Sequence, residues 1–160
     1  MAKQYNRASQ NNSEAYRQLA EIEGTVPPQA IELEQAVLGA LMLEKDAIID
    51  VQEYIKPETF YTEEHRIIFQ AIQELSFEMK AIDLYTVTEC LKSHRQLTKV
   101  GGAAYLAQLT QRVASAAHIE FHAKIIAQKY VQRELIRSAT EIQRRSYDED
   151  QDVTDLIGVG

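Results

Sequence analysis

Apolar residues return at three- and four-residue intervals from Val26 almost to the end of the chain, the spacing of helices with one buried face. The pattern opens at Val26-Pro27-Pro28, where the proline pair closes a polar tail and is expected to start a helix, since proline fits the first helical turn. Across Ile31–Leu43, Leu33, Val37 and Leu41 mark the inward stripe, which Ala30, Leu38, Ala40 and Met42 widen. Glu32, Glu34 and Gln35 are assigned to the other sides of that helix.

Further helices follow at short intervals. One begins after Asp46, carries Ile48, Val51 and Ile55 in phase, and ends at Pro57. Thr62 is expected to cap the next, with Glu63 and Glu64 at the positive end of its dipole and Ile68, Phe69, Ile72 and Leu75 inward. Asp83 caps a helix bearing Leu84, Val87 and Leu91, and Gly101-Gly102 turns the chain into one bearing Tyr105, Leu106 and Leu109. From Ser115, a further cap candidate, nothing interrupts the helical pattern until about Tyr147. A helix of ~30 residues is roughly 45 Å long, so its outer half must lean on something other than a small head. Its apolar residues form two stripes, Phe121/Ile125/Leu135/Ile142 and Ile119/Ile126/Tyr130.

The ends differ from this body. Residues 1–25 are rich in Gln, Asn, Ser and Glu and are expected to be a disordered polar tail, with a transient helix over Ser13–Ile22. The run from Asp148 to Asp152 is a polar turn, and Asp152 is placed to cap another helix that has barely begun at Gly160. The sequence is therefore expected to be a piece of a longer protein. It divides into the tail at 1–25, a helical head at 26–114 and an arm region at 115–160.

Composition fits a soluble helical protein: 45% hydrophobic and 26% charged residues, six glycines and three prolines in 160 residues. A net charge of −7 argues against a module that grips DNA through its phosphates. Cys90 is the single cysteine, which rules out an internal disulfide; its apolar neighbours suggest a small core residue. No apolar run is long enough to span a bilayer and no signal core leads the chain, so a cytoplasmic location is expected.

Catalytic chemistry is hard to find. His118 and His122 are spaced to share a helix face, but in the order His-Ile-Glu-Phe-His the glutamate is misplaced for an H-E-x-x-H site, and no third ligand is recognisable. Glu63-Glu64-His65 reads as an acid–base group or, equally, as acidic first-turn residues. Ser115 and Ser138 have no base at recognisable spacing, and neither G-x-x-x-x-G-K-[ST] nor G-x-G-x-x-G occurs. No catalytic residue, cofactor or metal site is assigned. Lys124, Lys129, Arg133, Arg137, Arg144 and Arg145 alternate with Glu120, Glu134 and Glu141, as on a solvated, salt-bridged face.

Four phrases, taken in order, carry a resemblance: Glu32-Leu33-Glu34-Gln35-Ala36-Val37-Leu38-Gly39 after the prolines, Phe60-Tyr61-Thr62-Glu63-Glu64-His65-Arg66-Ile67-Ile68-Phe69, Ile82-Asp83-Leu84-Tyr85-Thr86-Val87, and Gly101-Gly102-Ala103-Ala104-Tyr105-Leu106. Together they resemble the N-terminal domain of the replicative DnaB helicase, from about Val26 to the end of the chain. Two departures are visible, Ala81 where a proline often precedes Ile-Asp-Leu and His118 where Asn commonly follows Ala-Ala. The resemblance implies an all-α fold: a compact helical head, then a long helix forming the first arm of a helical hairpin whose second arm is truncated.

In function the resemblance implies a collar domain of a hexameric ring, built as a trimer of dimers, that docks the helicase-binding domain of primase during DNA replication. It also implies a parent protein that unwinds duplex DNA with ATP and Mg, through a motor this sequence lacks. The truncated chain would be a monomer or dimer, with no membrane contact and no direct nucleic-acid binding. Carried over residue by residue, the contact with primase or a neighbouring subunit falls on Glu32, Tyr105, Ile136 and Ile142, with Leu135 on the same arm. Tyr105 is equally open to a core role. Two other classes remain: a free-standing helical module binding nucleic acid through the basic face of the long helix, and a metalloenzyme around His118 and His122.

Overall fold

Helical spacing becomes six α-helices and one 3-10 turn among the described residues of the computed structural model, which are 26–112, 118–148, Thr154, Ile157 and Gly158. They are α1 (Ile31–Leu43), α2 (Ala47–Val51), the 3-10 turn Pro57–Thr59, α3 (Glu63–Phe77), α4 (Leu84–Ser93), α5 (Gly102–Gln111) and α6 (Ile119–Ser146). The polar tail 1–25 with its Ser13–Ile22 helix, the caps at Ser115 and Asp152, and the beginning of a second arm lie outside the described residues.

Local chemistry sets the helix ends. The Thr62 hydroxyl accepts from the His65 backbone N–H at 3.2 Å, and Asp83 and Thr86 form a reciprocal capping box. α3 and α4 stop on left-handed residues, Met79 and Arg95, each with φ 56°. The next N–H turns back to close each helix, Lys80 to the Leu75 carbonyl at 2.9 Å and Gln96 to that of Leu91 at 2.8 Å. Gly101 repeats the turn at φ 106°, where a Cβ would lie 2.9 Å from that of Tyr105; glycine is required there on both counts. The prolines act differently from expectation. α1 begins at Ile31 with Ala30 as its cap, so Pro27 and Pro28 precede the helix instead of filling its first turn.

α1 is the central element, packed against α3, α5 and α6. Val37, Leu38 and Leu41 from α1 meet Phe60, Ile68, Phe69 and Ile72, with Leu91, Leu106, Leu109 and Ile126 closing the core from three further helices. All are at most 1% exposed, so removing any one leaves a hole instead of a relaxed surface. α6 has 28 residues and is about 42 Å long, and only its first half can lie on this head.

Candidate functional site

The interface residues expected from the sequence occupy two separate places. Glu32 is exposed on the first turn of α1, and Tyr105 lies half-buried on α5. Leu135, Ile136 and Ile142 stand exposed on the outer half of α6.

Tyr105 ends a chain of polar groups that runs into the core. Its hydroxyl lies 2.6 Å from His65 Nε2, and His65 Nδ1 lies 2.8 Å from Glu34 Oε1. Glu34 Oε2 accepts from the Tyr61 backbone N–H at 2.9 Å, so both carboxylate oxygens are used. A carboxylate only accepts, which places the imidazole proton on Nδ1 and lets Nε2 accept from the tyrosine O–H. The His65 and Tyr105 rings stack at an 8° interplanar angle, and Gln35, itself held by Arg112, points its amide at the same hydroxyl.

Glu34 and His65 are 1% and 2% exposed, which corrects the assignment of Glu34 to a solvent side of α1. The His65 partner is thus not Glu63 or Glu64 but a residue 31 positions earlier. A sequence signal for this did exist. Position 34 falls within the stripe marked by Ala30, Leu33, Val37, Leu38 and Leu41, so a helix that buries that stripe buries Glu34 with it. Carboxylate, imidazole and hydroxyl follow the order of a hydrolase triad. Here, though, the order fixes the rotamer of Tyr105, whose ring edge borders a shallow cleft with Ile31, Glu64, Thr98 and Lys99.

The two stripes of α6 have opposite roles. Ile119, Ala123 and Ile126 are buried against the head, and Tyr130 and Arg133 continue that line half-buried. Arg133 fastens the helix at this point. Its guanidinium donates to the Pro28 carbonyl at 2.9 Å and the Thr59 carbonyl at 2.8 Å, and lies over the Tyr61 and Tyr130 rings. Burial pulls its pKa below the ordinary arginine value. On nearly the opposite side, Phe121, Val131, Leu135 and Ile142 form an exposed apolar line, with Leu135 65% exposed; Ile136 stands about a quarter-turn off it.

The basic residues of this arm are largely matched by neighbouring carboxylates: Lys124 with Glu120, Arg137 with Glu134, and Arg144 and Arg145 with Glu141. Hydrogen bonds from Arg137 and Arg144 hold the Glu134 and Glu141 carboxyls below their usual pKa. Such a face presents little net positive potential to a phosphate backbone. His118 and His122 have ring centroids 6.3 Å apart, and among the described residues no third ligand joins them. Cys90 is half-buried beside Glu74 instead of enclosed in the core.

One surface went unnoticed in the sequence. At the end of the head Leu43, Ile49 and Met79 are exposed, Met79 by 94%, around a cleft bordered by Ile48 and Ile82. Single apolar residues at helix ends give no periodic signal, so only their convergence reveals the patch.

Comparison with known proteins adds the following. Residues 26–128 match the family described as DnaB-like helicase N terminal domain. The chain is 47% identical over 134 residues to the replicative DNA helicase DnaB of Rhodothermus marinus, covering 84% of this chain and 14% of that protein. It is 40% identical over 132 residues to the replicative DNA helicase DnaB of Geobacillus stearothermophilus, covering 82% and 29%. The chain therefore spans less than a third of either relative. In structure it is similar to the N-terminal domain of DnaB helicase from Mycobacterium tuberculosis, with TM-score 0.79 and 36% identity over 83% of this chain and 94% of that one. A DnaB-like replicative helicase, studied for its interactions with primase, matches with TM-score 0.67 and 24% identity over 82% of this chain and 32% of its own, a likeness of fold.

Proposed function

We propose, from the premise that this chain belongs to the family of DnaB-like helicase N-terminal domains, that it is the collar part of a replicative DNA helicase, joining subunits of the ring and docking primase. The exposed apolar line Phe121–Val131–Leu135–Ile142 carries this reading. An isolated helix needs a second surface to cover such a line, and a neighbouring subunit's arm is the occupant the family relationship supplies. The apolar end of the head at Leu43, Ile49 and Met79 offers a second surface for self-association. Glu32 and Tyr105, near the N-terminal side of the head, together with Ile136 and Ile142 on the arm, are the proposed contacts for the helicase-binding domain of primase. Unwinding of duplex DNA with ATP and Mg is assigned to a motor in the whole protein. The division into a head at 26–114 and an arm at 115–160 is part of the same proposal.

Titration calorimetry of this chain, and of the full-length helicase, against the primase helicase-binding domain tests the reading. Binding to both that weakens in Tyr105→Ala and Ile142→Asp is expected. Failure of the full-length helicase to bind primase would overturn it. The reading in which the basic arm binds nucleic acid finds less support, because its arginines are engaged by Glu134 and Glu141.

A further inference from the structure

Next to the Met79 surface, three side chains of different chemistry converge where the end of α3 meets α4. Glu74 belongs to the last turns of α3; Cys90 and His94 are four residues apart, on one face at the end of α4. His94 Nε2 lies 2.8 and 3.0 Å from the two Glu74 carboxylate oxygens. The Cys90 thiol donates to Glu74 at 3.8 Å, and the three ligand atoms all lie within 4.8 Å of one another. We propose that Glu74, Cys90 and His94 form a binding site for a divalent transition-metal ion of the zinc type.

The ligand chemistry favours that class. Thiolate, imidazole and carboxylate are the donors zinc accepts, whereas calcium and magnesium take oxygen alone. Bond lengths of ~2.0–2.3 Å in a tetrahedron set ligand atoms roughly 3.3–3.6 Å apart. The present separations approach that triangle, and the side chains are free to complete it: Glu74 and His94 are about half exposed, so neither is locked by packing. Glu78, one turn beyond Glu74, and Glu89, beside Cys90, border a cleft with Glu74 and Cys90 and add negative charge to it, while Lys80 is paired with Glu78. The fourth position is left to water. An exposed Glu–His pair alone is a commonplace surface contact of small energetic weight. What distinguishes this one is the thiol at the third corner.

Binding exchanges one proton for one metal–sulfur bond: the Cys90 S–H proton leaves to solvent and the thiolate ligates the cation. Burial and the neighbouring carboxylates push the free thiol's pKa up, and a bound dication reverses that balance. The ion would then tie α3 to the end of α4 outside the main core.

Titrating the metal-free chain with Co²⁺ tests the site, because a thiolate ligand gives cobalt a charge-transfer band in the near ultraviolet. One equivalent is expected to bind with that band, zinc to displace it, and zinc to raise the thermal midpoint by several degrees. Cys90→Ser should abolish the band, and His94→Gln should weaken affinity by about tenfold or more. His118→Gln, as a control, should leave both unchanged. Either absence of the thiolate band in the parent chain, or equal affinity in parent, Cys90→Ser and His94→Gln, would overturn the proposal. All these positions are at least partly exposed, and circular dichroism would verify that each variant folds.

Discussion

The two halves of α6 are one continuous helix with two kinds of neighbour. The inner half buries Ile119, Ala123 and Ile126 in the head and is fastened by Arg133 to the carbonyls of Pro28 and Thr59. The outer half carries Leu135, Ile136 and Ile142 into solvent and keeps its charges in intrahelical pairs. Intrahelical pairs stabilise a helix by only a few tenths of a kcal/mol each. The outer half is therefore continuous with its anchored half but holds little packing energy of its own. The inner half of α6 shares the core of the head, while the outer half leaves its apolar residues uncovered.

The largest test of this contrast is Ile126→Ala, which empties a position 1% exposed at the junction of α6 with the head. A loss of about 2–5 kcal/mol is expected by chemical denaturation. Glu34→Ala comes next: it strips His65 Nδ1 and the Tyr61 N–H of their acceptor. About 1–3 kcal/mol should be lost, and the Tyr105 ring should broaden in NMR spectra as its anchor loosens. Arg133→Ala tests the fastening, with a cost of about 1–3 kcal/mol and faster amide exchange beyond residue 130 than before it. Smallest in stability is Leu135→Ala. It should change the unfolding free energy of the isolated chain by no more than about 0.5 kcal/mol, yet weaken self-association measured by sedimentation. If Leu135→Ala cost as much as Ile126→Ala at concentrations where the chain is monomeric, the division of α6 into anchored and free halves would fail.

Much of this was legible in the residues alone because its causes are local. Thr62 and Asp83 cap within four residues of themselves, Gly101 meets a steric requirement of its own backbone, and α1 occupies the span its apolar spacing predicts. Both stripes of α6 could be seen in part as well, although Val131 joins the exposed one and Ile125, assigned to it, is half-buried. The sequence assigns Glu34 to a solvent side because a charged residue is rarely buried without a partner. Its position inside the apolar stripe was the contrary sign, and its meaning depended on a histidine on a different helix. The cluster of Glu74, Cys90 and His94 was hidden for the same reason: Cys90 and His94 are visibly i,i+4, while the ligand that makes them a set comes from α3.

The sequence by itself determined most of the helices, the caps at Thr62 and Asp83, the all-α class and the family, since these follow from interactions within one or two turns and from phrases kept in order. Tertiary structure alone decided which stripe of α6 meets the head, that Glu34 is buried with His65, and that Tyr105 is half core and half surface. Those outcomes depend on which faces of distant helices meet. Spacing along one helix defines a face, but only packing chooses what the face will touch.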